Sequence, residues 1–157
     1  MADVHPRVRA ALRHVPHRVH RHADLPGPIG GPADLAAALG YPAARVARTL
    51  LVRVPRTERY ALVVAPADER TDLRVVASAL AAPRVEIAPR DAPIRLLDYP
   101  PAGVSPLGVR GYPVFASEAL QPHPTVLVGA GAAGVEVELT PADLLSVTGA
   151  RVLGAAS

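Results

Sequence analysis

The chain contains no cysteine, so disulfide bonds, thiolate nucleophiles and cysteine-ligated metal sites are excluded. Tryptophan is absent as well, and aromatic residues make up only 3% of the 157 residues. Hydrophobic residues nevertheless account for 50% of the chain, which favours a globular fold over disorder. We therefore expect an aliphatic core and, at this length, a single domain covering residues 1–157.

Lysine is also absent, so all 17 basic residues are arginine. The formal net charge of +3 permits an anionic partner such as RNA, but it is far below the charge of a dedicated nucleic-acid coat. No run of 18 uncharged apolar residues occurs, and the N-terminal segment is rich in arginine and histidine. These features predict a cytoplasmic protein that contacts no membrane.

Hydrophobic periodicity predicts alternating helices and strands. The predicted helices cover residues 4–13 and 32–39, and two more follow the N-caps Thr71 and Thr140. The predicted strands cover residues 17–22, 49–54, 60–65, 85–88, 114–116, 125–128 and 135–139, with an edge strand at 152–153. No repeat or linker divides the chain, which predicts an α+β fold with a mixed central β-sheet flanked by helices.

The glycines at 129, 131 and 134 match the GxGxxG pattern of dinucleotide-binding proteins and follow a predicted strand. That pattern requires a helix to open at the glycines, whereas residues 135–139 alternate as a strand. The segment is therefore predicted to be a glycine-rich hairpin. Its backbone is also suited to approach a ligand closely, which side chains would prevent.

Four histidines, at positions 14, 17, 20 and 22, lie close together in the sequence. No cysteine or nearby carboxylate pair completes a closed metal site, so we interpret them as solvated or pocket-edge histidines. A catalytic triad using Ser105 is disfavoured because the chain has no GxSxG motif. The glycine- and proline-rich segment GVSPLG at residues 103–108 is different, because such a loop can aim several backbone N–H groups at an oxyanion; the alternative interpretation is a simple turn.

Four segments together resemble the YbaK/ProX superfamily, the free-standing relatives of the editing domain inserted in bacterial prolyl-tRNA synthetase. They are VPHRVHRH at residues 15–22, LAAALGYPAARVARTLL at 35–51, GVSPLG at 103–108 and GAGAAGVEVELTPADL at 129–144. The resemblance implies hydrolysis of the ester of a mischarged tRNA that carries a small amino acid, of the cysteine, alanine or serine type. It implies no metal and no cofactor, and the expected partners are the acceptor end of aminoacyl-tRNA and a synthetase, with neither DNA nor a membrane.

The same resemblance implies the site residues. The expected catalytic residues are Arg48, Gly103, Val104 and Ser105. The expected substrate-binding residues are His22, Thr49, Pro106, Leu107, Gly108, Gly129, Gly131, Gly134 and Glu136. In this hypothesis the N–H groups of residues 103–105 stabilise the oxyanion, Arg48 holds the terminal phosphate or carbonyl, and the substrate's own 2′ hydroxyl helps to activate water.

The chain departs from the family pattern at several of these positions. Arg48 stands where the family usually has a functional lysine, and arginine keeps the charge but cannot release a proton near neutral pH. The other departures are Ala102 in place of glycine, Gly129 in place of a small hydroxyl residue, Ala132 and Ala133 in place of basic residues, and His22 in place of an aromatic residue. These changes leave an alternative open, a catalytically weak or inactive module that binds the acceptor end of aminoacyl-tRNA or a related small ligand.

Overall fold

The computed structural model describes residues 3–154, so the ends of the predicted domain, residues 1–2 and 155–157, lie outside the described residues. The helices are α1 Pro6–Ala11, α2 Pro32–Leu39, α3 Leu73–Ala79 and α4 Pro141–Thr148. The strands are β1 Arg18–Arg21, β2 Ala47–Arg53, β3 Tyr60–Pro66, β4 Glu86–Ile87, β5 Val114–Ser117, β6 Val126–Gly129, β7 Val135–Leu139 and β8 Arg151–Leu153.

The larger sheet has five strands in the order β4-β2-β3-β5-β8. Strand β2 is antiparallel to β3 and β4, whereas β5 is parallel to both β3 and β8. A parallel pair needs a long crossover connection, which α3 and the following loop supply between β3 and β5. The mixed sheet and the edge strand near residue 152 are thus confirmed.

A second, antiparallel sheet has three strands in the order β1-β7-β6. A single parallel bridge between Val46 and Leu127 joins the start of β2 to β6. The glycine-rich segment between β6 and β7 is the predicted hairpin connection, and no helix opens at it. The two sheets meet at this bridge, which brings the start of β2 beside the ends of β1 and β6.

Helix ends follow the capping signals in the sequence. Thr140 accepts a hydrogen bond from the N–H of Asp143, and Gly149 ends α4 with a left-handed φ of 65°. The predicted cap of α3 is wrong by one residue, because the Asp72 carboxylate accepts from the N–H of Arg74 and is the N-cap. An aspartate is a strong N-cap, so it outcompetes the threonine that precedes it.

The core is aliphatic, as composition predicted. One cluster of buried residues packs α1 and α4 onto one face of the larger sheet, and a second packs α3 onto the other face. The long loop between β4 and β5 is anchored in the first cluster, because the buried Tyr99 hydroxyl donates to the carbonyl of Leu107 at 2.6 Å. No helix among residues 3–154 is long and apolar enough to cross a membrane.

Candidate active site

An open pocket of about 420 Å³ lies where the start of β2 meets the three-stranded sheet. Seven of the residues predicted from the sequence line it: His22, Arg48, Thr49, Val104, Gly129, Gly134 and Glu136. The remaining lining residues are Ile29, Gly30, Gly31, Pro32, Leu35, Val46, Ala47, Pro101 and Ala102. The structure therefore brings residues from four distant parts of the chain together around one cavity.

Arg48 is the only arginine lining this pocket, and its side chain is exposed to solvent. Strand β2 alternates at this point, so that Ala47 and Thr49 are buried on either side of it. Within residues 3–154, no carboxylate lies within ion-pair distance of the Arg48 guanidinium. The guanidinium is therefore available to an anionic group of a ligand.

In contrast to the exposed Arg48 side chain, the Thr49 hydroxyl is buried. Only 8% of the residue is exposed, and its Oγ1 has no hydrogen-bond partner in the described part of the chain. Leaving a buried hydroxyl unpaired costs about 1–3 kcal/mol. Because Thr49 lines the pocket, a ligand that hydrogen-bonds to this hydroxyl would recover that free energy.

His22 and Glu136 meet across the pocket wall. His22 Nε2 lies 3.3 Å from Glu136 Oε1, and the two side chains are 29% and 16% exposed. Burial raises the pKa of Glu136 to about 7 and lowers the pKa of His22. The contact is therefore a long hydrogen bond between a carboxyl group that titrates near neutral pH and a histidine whose charged form is disfavoured by burial.

The glycines at 103 and 129 allow two loops to touch. A Cβ at Gly129 would overlap the carbonyl oxygen of Val104, and a Cβ at Gly103 would overlap the backbone of Ala132. The N–H of Gly131 donates to the carbonyl of Gly103 at 2.9 Å. The hairpin glycines thus serve the close backbone approach that the sequence suggested, and here the approaching group is the loop that contains Val104.

Within the predicted GVSPLG segment, only Val104 lines the pocket. Ser105, Pro106 and Leu107 are buried, and the Ser105 hydroxyl accepts a hydrogen bond from the N–H of Leu107 at 3.1 Å. The N–H of Gly103 donates to the carbonyl of Pro100 at 2.9 Å. By contrast, the N–H of Val104 has no hydrogen-bond acceptor among residues 3–154, and Val104 lines the pocket.

Two further predicted glycines lie away from the pocket lining. Gly108 packs against the backbone of Arg7, and Gly131 packs against His5 and Tyr99. Both have positive φ, of 73° and 78°, which a residue with a side chain rarely adopts. They anchor the loop and the hairpin to the N-terminal helix.

The histidines in and beside β1, at positions 17, 20 and 22, do not form a metal cluster. No group of three metal-ligating side chains occurs in residues 3–154. His20 Nε2 bonds to Glu138 Oε1 at 2.7 Å, and His17 Nδ1 contacts the carbonyl of Val15. Only His22 lines the pocket, in agreement with the interpretation as a pocket-edge histidine.

Sequence reasoning missed the wall formed by residues 29–32 and the start of α2. Gly30 is held there by its N–H, which donates to the Asp34 carboxylate at 2.8 Å. The available signal was the turn-rich stretch that precedes Pro32, the first residue of α2. Such a stretch predicts a loop but does not say what the loop encloses.

An exposed arginine, a buried unpaired hydroxyl and a free backbone N–H around one pocket define a binding or catalytic site for a small polar group. The model of the aminoacyl-tRNA editing domain family matches residues 27–147, which is more than half of the chain. The chain therefore belongs to this family. The family predicted from the sequence is confirmed, and with it a role in aminoacyl-tRNA editing.

Individual relatives agree with this assignment. The chain is 29% identical over 116 residues to EbsC of Enterococcus faecalis, a candidate Cys-tRNA(Pro)/Cys-tRNA(Cys) deacylase, and the match covers 73% of this chain and 70% of the relative. The crystal structure of a candidate trans-editing enzyme for prolyl tRNA synthetase matches with a TM-score of 0.82 at 23% identity, covering 98% and 100% of the two chains. The crystal structure of the hypothetical protein APE2540 matches with a TM-score of 0.80 at 25% identity, covering 93% and 96%.

Proposed function

We propose that this chain acts in trans on tRNA carrying a wrong small amino acid and hydrolyses the ester between that amino acid and the terminal ribose. The observation that carries the proposal is the pocket of about 420 Å³, which joins Arg48, Thr49 and the free N–H of Val104. Membership of the editing family and the relatives named above support the choice of substrate.

Arg48 binds the phosphate that precedes the terminal adenosine. Its guanidinium is exposed and has no ion-pair partner within the described residues, so no existing contact must break when a phosphate arrives. Arginine matches phosphate geometry with two parallel N–H groups and stays charged near neutral pH. The role therefore requires charge and shape, and it requires no proton transfer.

The N–H of Val104 stabilises the oxyanion that forms at the ester carbonyl. The sequence suggested that the N–H groups of Gly103, Val104 and Ser105 would all bind the oxyanion. We assign this role to Val104 alone, because the N–H of Gly103 donates to the carbonyl of Pro100 and Ser105 is fully buried. A preorganised backbone N–H is an effective oxyanion donor because it needs no reorganisation during the reaction. Gly129 keeps this loop in place, since any side chain there would displace Val104.

In the reaction, water adds to the carbonyl carbon and the bond between that carbon and the ribose oxygen breaks. The ribose oxygen takes up a proton, and the products are a free amino acid and tRNA with an intact terminal ribose. The neighbouring ribose hydroxyl helps to activate the water, so no side-chain nucleophile or metal ion enters the mechanism. An aminoacyl ester is already activated, and positioning with oxyanion stabilisation suffices.

The proposed substrates are esters of small amino acids. Glycine, alanine and valine residues make up half of the pocket lining, and Thr49 has one unpaired hydroxyl for a polar side chain or for the ribose. We propose that the bound acceptor end fills much of the pocket and leaves room only for a small side chain, which is the logic of a second sieve. Alanine, serine and cysteine esters are the proposed substrates, and the name of the Enterococcus faecalis relative supports cysteine on tRNA-Pro.

The proposal also covers what the protein binds and where it acts. The chain binds the acceptor end of aminoacyl-tRNA, in the cytoplasm, and meets its substrate near the synthetase that produced the error. The net charge of +3 makes contact with the tRNA backbone weak and sensitive to salt. A synthetase partner would compensate by raising the local concentration of the substrate.

The test is to incubate purified protein, at catalytic concentration, with tRNA charged separately with Ala, Ser, Cys and Pro, and to follow the esterified fraction. Wild type should shorten the lifetime of the small mischarged esters. Arg48→Ala should slow that loss by about 100-fold, the scale of losing one transition-state contact, and Arg48→Lys should retain part of it. Arg84→Ala is the matched control, because Arg84 is exposed and lies outside the pocket.

Unchanged lifetimes for all four esters, together with measurable binding, would contradict the proposal and favour a module that binds the acceptor end without cleaving it. Equal activity of wild type and Arg48→Ala would retain the deacylase but remove Arg48 from the site.

A further inference from the structure

Glu136 is the only carboxylate among the residues that line the pocket. On β7 it faces Gly129 of β6, a residue without a side chain, and His20 of β1. The His20 ring bonds to Glu138, and within residues 3–154 the only side-chain hydrogen bond of Glu136 is to His22 at 3.3 Å. Glu136 lines the pocket and its side chain is 16% exposed, so the carboxylate is accessible from the pocket.

A buried carboxylate with one weak contact is an incomplete site. Burial raises the pKa of Glu136 to about 7, because the charged form loses its surrounding water. The ionisable groups around it are His22, His20 on the facing strand, Arg48 from β2 and Glu138 on the same strand. Within residues 3–154, only His22 lies within ion-pair distance of it, and burial lowers the pKa of His22, which disfavours the charged imidazolium. A cation that entered the pocket would therefore pair with Glu136 and restore its charge.

Resting on the function proposed above, we propose that Glu136 is the subsite for the α-ammonium group of the aminoacyl ester, so that the pocket selects esters whose amino group is free. The substrate carries a phosphate, an ester carbonyl and an ammonium group in that order. The pocket offers Arg48, the Val104 N–H and Glu136, whose charge and polarity match these three groups. His22 is a positioning residue that orients the carboxylate.

The consequence is a specificity that amino-acid size does not provide. Esters with a blocked amino group, such as N-acetylaminoacyl or peptidyl esters, present a neutral amide to a carboxylate. An analogue without the ammonium group binds less tightly, because the Glu136 carboxylate then stays buried and unpaired. Such a pocket would spare peptidyl-tRNA during translation.

The test uses a non-hydrolysable probe, 3′-alanylamino-3′-deoxyadenosine, and its N-acetyl derivative, titrated into the protein by calorimetry at pH 7.5. Wild type should bind the free-amine probe at least 10-fold more tightly than the N-acetyl probe. Glu136→Gln, which keeps the size and removes the charge, should bind both probes with similar affinity. Glu69→Gln is the control, because Glu69 is exposed and lies outside this pocket.

Equal binding of the two probes to wild type would overturn the proposal, and so would no binding of the free-amine probe or a preference that survives in Glu136→Gln. The comparison within wild type holds even if the variant fails to fold. Hydrolysis of alanyl-tRNA, measured separately, distinguishes the two failures: hydrolysis without amine preference removes only the ammonium subsite, whereas amine preference without hydrolysis removes only the deacylase.

Discussion

Glu136 and Glu138 lie two residues apart on β7 and on the same face of the sheet, yet their surroundings differ sharply. Glu138 accepts hydrogen bonds from Thr125 at 2.5 Å, His20 at 2.7 Å and Tyr41 at 2.9 Å, with Arg45 at 3.4 Å. Glu136 has one contact, with His22 at 3.3 Å.

The facing strand also distinguishes the two carboxylates. Leu127 lies opposite Glu138, whereas Gly129, which also lines the pocket, lies opposite Glu136. Burial alone would raise the pKa of Glu138, but the hydrogen bonds from Thr125, His20 and Tyr41 outweigh it and lower that pKa. Glu138, which has several hydrogen-bond partners, therefore stabilises the fold. Glu136 has few partners and is available to bind a ligand.

Removing the Glu138 carboxylate is expected to have the largest effect on stability. Glu138→Ala would leave His20, Tyr41 and Arg45 without their common acceptor, and breaking a buried charged network costs about 3–5 kcal/mol. Urea denaturation measures this loss. At pH 5, Glu136→Ala should change the free energy of unfolding by less than about 1 kcal/mol, and equal losses for the two variants at that pH would contradict the contrast.

The pH dependence of stability should also separate the two carboxylates. Because the pKa of Glu136 is raised from 4.5 to about 7 in the fold, the native state holds the proton more tightly than the unfolded chain. Its contribution is therefore fully present below pH 4.5 and is lost as the pH rises to about 7, by at most about 3 kcal/mol. Glu138, whose pKa is lowered, contributes stability above pH 4.5 and loses it at more acidic pH.

Urea denaturation of wild type and Glu136→Gln at pH 5 and pH 8 measures the Glu136 contribution, because the variant lacks the titrating group. Relative to wild type, Glu136→Gln should be more stable at pH 8 than at pH 5. A difference that does not change with pH would show that the Glu136 carboxyl group titrates normally.

A smaller effect is expected from adding a side chain at Gly129, the residue opposite Glu136. Gly129→Ala places a Cβ against the carbonyl oxygen of Val104 and forces that loop to move. Overpacking of this kind costs about 1–3 kcal/mol, and deacylation should fall further because the Val104 N–H is displaced. Gly154→Ala is the control, since the nearest atom to its Cβ would be 3.8 Å away. Similar losses of deacylation in both variants would show that activity does not depend on the close contact between Gly129 and Val104.

Much of the fold follows from local sequence signals. Thr140, Pro141 and Gly149 delimit α4 because capping and backbone preferences act over a few residues. The same signals were displaced by one residue at Thr71, where the stronger cap Asp72 follows immediately. The presence of a second sheet depends on strand pairing between β1 and β7, more than 100 residues apart in sequence, which no local pattern encodes.

The candidate site was predictable in part. Arg48, Val104 and Glu136 were named from motifs and do line one pocket. Ser105 was named because it is adjacent to Val104 in the same motif, but its hydroxyl turns back to the N–H of Leu107. Neighbours in a motif need not share a surface, because a tight turn directs successive residues to opposite sides. The role of Glu138 was not anticipated, since its four partners come from three separate segments of the chain.

A crystal structure of the protein with 3′-alanylamino-3′-deoxyadenosine bound would test most directly whether this pocket is the substrate site. We expect the probe in the pocket of Arg48 and Thr49. Its amide carbonyl oxygen should lie within hydrogen-bond distance of the Val104 N–H, and its ammonium group should lie beside Glu136. A probe bound elsewhere, for example in the cavity of about 360 Å³ lined by Thr71, Asp72 and Ser117, would contradict this expectation.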